Sequence, residues 1–148
     1  MSTRGAIARP KGDGWEGAFH SPDAYPSGLG CDLWHRLQAN ADAATLVHNA
    51  IAAKPHDLLD DGTADPLYIE WVYILYDRTM TILGAYPAPD YQEKQGAGGP
   101  YRIRRFAHRV VAQFDLDGPE PPWRALEEAH RLWCEALPYY DEPAILDA

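Results

Sequence analysis

The chain has 148 residues, 46% of them hydrophobic with five Trp and nine Tyr, and a formal net charge of −9. That length and composition fit one globular domain with a sizeable core and exclude general disorder. The acidic balance disfavours broad, non-specific binding to nucleic-acid phosphates while favouring solubility and leaving basic partner surfaces open.

Two cysteines, Cys31 and Cys134, are too few for a disulfide framework. No stretch reaches the ~18 apolar residues of a membrane span, and the first ten residues hold no apolar signal core. A cytoplasmic protein with reduced thiols and no membrane association is therefore expected.

Along the chain, residues 5–9 are short and apolar, and Lys11-Gly12-Asp13-Gly14 is a turn cluster. Trp15 to His20 alternates large with small or polar residues, which predicts a β-hairpin. Ser21 to Gly28, with Pro22 and Pro26, reads as a rigid loop. From Leu29 the period turns helical: Leu29, Leu33 and Leu37 recur every four residues, Trp34 widens the stripe, and Ser27 stands where an N-cap belongs. A second helix runs from Ala41 to Lys54 on Ala44, Val47 and Ile51, and Pro55 closes it.

Residues 57–66 form an acidic, solvated connection. Tyr68 to Tyr76 is the clearest strand, apolar on both faces except at Glu70, which marks it as central and covered on both sides. Asp77-Arg78 turns into a returning strand, Thr79 to Gly84. Pro87 to Pro100 reads as a long loop, a length usually functional or mobile. Tyr101 to Asp117 fits both periods, and Val-Val with Phe114 favours a strand from about His108. Pro119 to Pro122 precede a helix with the stripe Leu126, Ala129, Trp133 and Leu137, wet-side pairs Arg124–Glu128, Glu127–Arg131 and Arg131–Glu135, and a stop at Pro138. Residues 139–148 read as a C-terminal tail. The resulting expectation is a single α+β domain: an antiparallel sheet of about five strands with two or three helices packed on it, in the order β-β-α-α-β-β-β-α.

The segment Thr3-Arg4-Gly5, then Trp15 to Pro26, then Gly28-Leu29-Gly30 and Leu33-Trp34, resembles a family of small proteins of unknown function from bacteriophages and actinobacteria. Its signature is an N-terminal Thr-Arg strand and an aromatic and His-rich stretch ending in Asp-Gly-Tyr-Pro or Asp-Ser-Tyr-Pro, followed by a helix. Asp23, Tyr25 and Pro26 match. Ser21 and Pro22 stand where the family carries His and an aromatic, and Ala24 replaces Gly or Ser. The resemblance covers about the first quarter and implies a fold and an origin. The family has no established activity, and any chemistry of its His-aromatic pair is not carried over here.

Several groups are candidates for a site. His20, Asp23 and Tyr25 flank the stiff loop, either as ligand contacts or as an Asx-turn with a packed tyrosine, the commoner arrangement. Glu70, alone in an apolar strand, is either paired with an Arg or at a sheet edge, or is a desolvated carboxylate in a pocket. Arg102, Arg104 and Arg105, with Arg109, make the one basic run, suited to a phosphate or nucleotide, beside Gly96 to Gly99; the bland reading is an exposed strand face. Cys31 with His35 one turn on, or His20 with Asp23, would serve a small hydrolase-like enzyme, and Ser2 an N-terminal nucleophile. No third orienting residue is visible, and no His-Glu-x-x-His or paired Cys-x-x-Cys motif marks a metal site. Trp71, Tyr73 and Tyr76 read as core. The leading expectation is a non-catalytic binding module for a protein or a small phosphorylated ligand, without cofactor or metal. The alternatives are a phage-type antagonist of a host defence system acting through its acidic surface, and the small enzyme.

Overall fold

The computed structural model describes residues 3–39 and 41–147; Ser2, a candidate nucleophile, lies outside them. The first hairpin forms as the alternation predicts. Strand β1 (Gly5–Lys11) pairs with β2 (Gly14–His20) across the two-residue turn Gly12-Asp13. A π-type turn, Pro26–Gly30, leads into α1 (Cys31–Gln38). Ser27 sits inside that turn and caps nothing with its side chain; its backbone N–H donates to Glu127 Oε1 at 2.6 Å. The second helix, α2 (Ala43–Ala53), has Asp42 as its N-cap, accepting from Thr45 N–H at 3.0 Å.

The acidic connection contains a short strand, β3 (Leu58–Asp60), which extends the sheet beyond β2. Next comes β4 (Trp71–Tyr76), beginning three residues later than the aromatic run suggests, because Tyr68 and Ile69 are held in a turn by hydrogen bonds to Asp65 O. β5 (Thr79–Gly96) and β6 (Gly99–Asp115) follow, then α3 (Trp123–Glu135) and β7 (Ile145–Asp147).

The sheet is α+β as expected, but larger and mixed. It has seven strands in the order β3-β2-β1-β4-β5-β6-β7, so β4 is the middle strand. β1 and β4 are parallel and every other pair is antiparallel. The parallel pair needs the long crossover through α1, α2 and β3, after which residues 61–69 bring the chain back to the end where β1 starts.

Two expectations are overturned by the β5–β6 ribbon and β7. Pro87 to Pro100 is no loop: β5 continues to Gly96, and Ala97-Gly98 alone make the turn, with Gly99 at φ +108°, a conformation that L side chains rarely adopt. The prolines are tolerated for a physical reason. Beyond Gly84, β5 no longer pairs with β4, and the ladder to β6 skips from Pro87 to Tyr91. Pro89 falls in that skip and forfeits no ladder hydrogen bond, and Pro87 has no β4 neighbour on its open side. The segment read as a tail supplies β7, whose residues pair with Tyr101 to Ile103 of β6.

Trp71, Tyr73 and Leu75 face the helices and pack with Leu33, Trp34, Leu37, Val47, Met80, Ile82 and Trp123. Val72 faces the opposite side, where Ala6, Ala8, Trp15, Ala64 and Ile69 form a second cluster. That side is concave. Trp15 on β2 and His108 on β6 meet edge to face at 6.4 Å, although β1, β4 and β5 lie between their strands. Four flat strand spacings would put them ~19 Å apart. The sheet therefore curls, helped by register shifts at Ile82/Leu83 and Pro87/Tyr91, and residues 61–69 fill the hollow. Tyr76, read as core, is 68% exposed, because it ends β4 beyond the filled part of the hollow. Among the described residues no helix is long and apolar enough to cross a membrane.

Candidate functional site

The loop holding His20, Asp23 and Tyr25 is built by its own contacts. Asp23 adopts φ +58°, a left-handed conformation that Asp tolerates better than most residues. Its carbonyl accepts from Leu29 N–H at 3.0 Å, and Tyr25 O accepts from Gly28 N–H at 2.9 Å. The Asp23 carboxylate beside Tyr25 raises the phenol's pKa. Burial, and then Lys54, hold His20 below the ordinary histidine value. From below, the buried Tyr73 hydroxyl donates to Ala24 O at 2.6 Å, pinning the loop to the central strand. These residues fix a junction, and no side-chain hydrogen bond joins His20 to Asp23.

The basic run does not form one patch. Strand alternation sends Arg102 and Arg104 to one face and Arg105 to the other. Arg104 is 2% exposed. It donates to Ala88 O at 2.7 Å, to Tyr91 Oη at 2.6 Å and to Glu142 Oε2 at 3.0 Å, and it lies over the Tyr91 and Tyr139 rings. Arg105 pairs with Asp90 at 3.0 Å. Arg109 lies 4.0 Å over the Trp133 ring and donates to His130 Nδ1 at 2.9 Å. Arg102 stays exposed, opposite Glu93 of β5.

Glu70 sits in a groove. One cavity, of about 250 Å³, is lined by Pro66, Leu67, Glu70, Trp71, Ala85, Phe106 and His130. A second, of about 290 Å³, shares Pro66 and Phe106 with it and continues along Asp65 and Arg105. The backbone just before β4 holds Glu70 rigidly: its N–H donates to Arg4 O at 2.9 Å, and its carbonyl accepts from Ala85 N–H at 2.8 Å. The side chain is half-buried and has no hydrogen-bond or ion-pair partner among the described residues. Desolvation pushes its pKa up, and the Arg4 charge pulls it only partly back. Glu70 thus lines a cavity, and the Arg4 charge acts on it without forming an ion pair.

His130 is the wall opposite, and its chemistry is fixed. Nε2–H donates to Ala85 O at 2.8 Å, and Nδ1 accepts from Arg109. The ring packs on Trp71 at 5.2 Å and stacks on Trp133. Burial lowers its pKa, and the Arg109 charge adds to this. Gly84 permits this approach, since a Cβ there would stand 2.8 Å from Nε2. The sequence offers Phe106 only as a ring beside the basic run, and nothing in that reading marks His130. A signal for His130 existed: it lies four residues after Leu126 and three before Trp133, on the inward stripe of α3.

The Cys31–His35 pair does form, with Sγ to Nδ1 at 3.8 Å. Burial, then Glu120 and Asp32, hold the Cys31 thiol above its ordinary pKa, the reverse of an activated nucleophile. A cavity of about 730 Å³ lies between the β1 end, the β4 end and the start of α2. Its two arginines are neutralised, Arg9 by Glu16 at 2.9 Å and Arg78 by Asp117 at 2.7 Å. No family model, curated protein or solved structure matches the chain.

Proposed function

We propose that the chain is a non-catalytic binding module that docks on a protein partner by taking a basic side chain, Lys or Arg, into the Glu70 groove. The observation that carries this reading is the half-buried Glu70 carboxylate, without a partner of its own, at an aromatic-lined cavity of side-chain size. A cation from outside restores the charge that desolvation disfavours and supplies a charge-assisted hydrogen bond. Trp71 and Phe106 offer apolar walls to an alkyl stem and ring faces to the charge. The net charge of −9 draws a basic surface in from a distance.

Two other readings have less support. A phosphorylated ligand needs free guanidinium groups, and Arg104, Arg105 and Arg109 are engaged internally. An enzyme using His130 as its base has less support, because both ring nitrogens are occupied. A host protein with a basic surface remains a fitting target for the groove.

The test is calorimetric titration with a short Arg- and Lys-containing peptide, set beside a nucleotide panel, at low and physiological salt. One charge-assisted hydrogen bond contributes about 1.5–3 kcal/mol, so Glu70→Gln should weaken peptide binding about 10- to 100-fold. The exposed Asp13→Asn, which makes the same charge change elsewhere, should leave affinity within about twofold. Equal losses in the two variants, or nucleotide binding that depends on Arg102, would sink the proposal.

A further inference from the structure

Two helices carry a cysteine and a histidine one turn apart. In α1 they are Cys31 and His35, and in α3 His130 and Cys134. Sulfur and ring nitrogen stand 3.8 Å apart in the first pair and 3.7 Å in the second. Around a tetrahedral zinc, with bonds of about 2.3 Å to sulfur and 2.0–2.1 Å to nitrogen, two such donors lie roughly 3.5 Å apart. Both pairs are thus within a few tenths of an ångström of a chelate.

What lies beyond each imidazole separates them. His130 turns Nε2, the nitrogen facing Cys134, to Ala85 O as a donor, and the Arg109 guanidinium occupies Nδ1. That pair offers a dication a protonated nitrogen and a nearby positive charge. His35 instead has Glu120 Oε1 2.5 Å from Nε2. A carboxylate there accepts the Nε2–H and leaves the Nδ1 lone pair directed at Cys31, the carboxylate–histidine–metal arrangement that fixes tautomer and ring orientation. One ligand atom from each of Cys31, His35 and Glu120 lies within 4.8 Å of the other two. The thiolate and the carboxylate together balance a charge of +2. His35 and Glu120 are 62% and 46% exposed, so water has room to complete the coordination. The neighbouring Asp32 is engaged by Arg36 at 3.1 Å.

We propose that Cys31, His35 and Glu120 form a surface site for one thiophilic divalent ion of the zinc class, ligated by the Cys31 sulfur and His35 Nδ1, with Glu120 holding the imidazole. Binding releases the thiol proton to solvent. It also ties the first two turns of α1 to the segment that leads into α3, two parts of the chain about ninety residues apart.

The probe is cobalt(II), added to the reduced full-length chain. One equivalent should produce thiolate-to-metal charge-transfer absorption, which zinc then displaces, and should raise the melting temperature. Cys31→Ser should abolish the absorption, and Cys134→Ser should retain it. Glu120→Gln should weaken binding about 10- to 100-fold, and His35→Gln, at a side chain 62% exposed, at least as much. Absence of the absorption from the unaltered chain, its loss in Cys134→Ser but not in Cys31→Ser, or unchanged affinity in Glu120→Gln would each overturn the assignment.

Discussion

Replacing Arg104 by Met keeps most of the side chain's volume while removing every donor, so it isolates the polar part of the clamp that joins the far half of the β5–β6 ribbon to residues 139–147. The cost can be assembled from the contacts. Ala88 O, buried at 8% exposure with its residue, loses the Nη1 donor at 2.7 Å, about 1–3 kcal/mol for an orphaned buried acceptor. The guanidinium at 4.5 Å from the Tyr91 ring centroid and 5.2 Å from that of Tyr139 contributes about 0.5–2 kcal/mol. Glu142 is mostly exposed, so its ion pair adds at most about 1 kcal/mol. The sum is about 1.5–6 kcal/mol, a large share of the roughly 5–15 kcal/mol that holds a domain together. Urea unfolding should show a lower midpoint at nearly constant slope. Glu142→Gln, which removes only the exposed partner, should cost under about 1 kcal/mol. Exchange of the Arg104 amide, which donates to Ala144 O at 2.7 Å, should accelerate in Arg104→Met well before global unfolding. Equal and small effects of the two substitutions would mean that the guanidinium is effectively solvated, and would return Arg104 to the pool of groups free to bind a phosphate.

Tyr73→Phe removes the donor to Ala24 O and should cost about 1–2 kcal/mol in urea unfolding while speeding amide exchange in residues 23–29; unchanged exchange there would show that the 20–26 loop does not depend on this anchor. Stability should fall as pH drops from about 7.5 to 5, because His20, His108 and His130 have folded pKa values lowered chiefly by burial, so protonation through the ordinary range near 6.5 favours the unfolded chain. Asp60, Asp117 and Glu128 are shifted down and stay charged in that window, while Glu70, shifted up, opposes the histidines; a melting temperature that is flat in Glu70→Gln but sloped in the unaltered chain would contradict this assignment.

The elements legible in the sequence were those whose period is local. The first hairpin, α1, α2, the central β4 and α3 each show their apolar spacing within a dozen residues. The distal ribbon was not legible, because Pro87, Pro89 and the glycines around Gly98 carry the same composition as a loop. Only the absence of a β4 partner beyond Gly84 makes prolines harmless there. β3 and β7 have three residues each and exist because the sheet edges offer them a ladder, a fact held by residues far away in sequence. The same distance explains the site. Glu70 was legible as a lone charge in an apolar run. Arg104 was not, since its partner Glu142 is 38 residues on and nothing in Tyr101–Arg105 says which arginine turns inward.

The two titratable walls of the groove differ in how their hydrogen-bonding capacity is used, and this difference decides which of them is open to a ligand. His130 spends both nitrogens on the fold, one on a backbone carbonyl and one on Arg109, so proton transfer at either would first break a structural contact. Glu70 spends only its backbone on the fold and leaves its carboxylate at the cavity. Keeping a desolvated, unpaired carboxylate works against stability at neutral pH, where the charged form is disfavoured relative to the unfolded chain. Glu70→Gln should therefore be at least as stable as the unaltered chain at pH 7, with the advantage vanishing below about pH 4 as the carboxylate of the unfolded chain protonates. A substitution that strengthens the fold while weakening peptide binding would identify Glu70 as a residue whose cost is met by an external cation; a loss of stability would instead show that an internal partner, with Arg4 the nearest candidate, already supplies it.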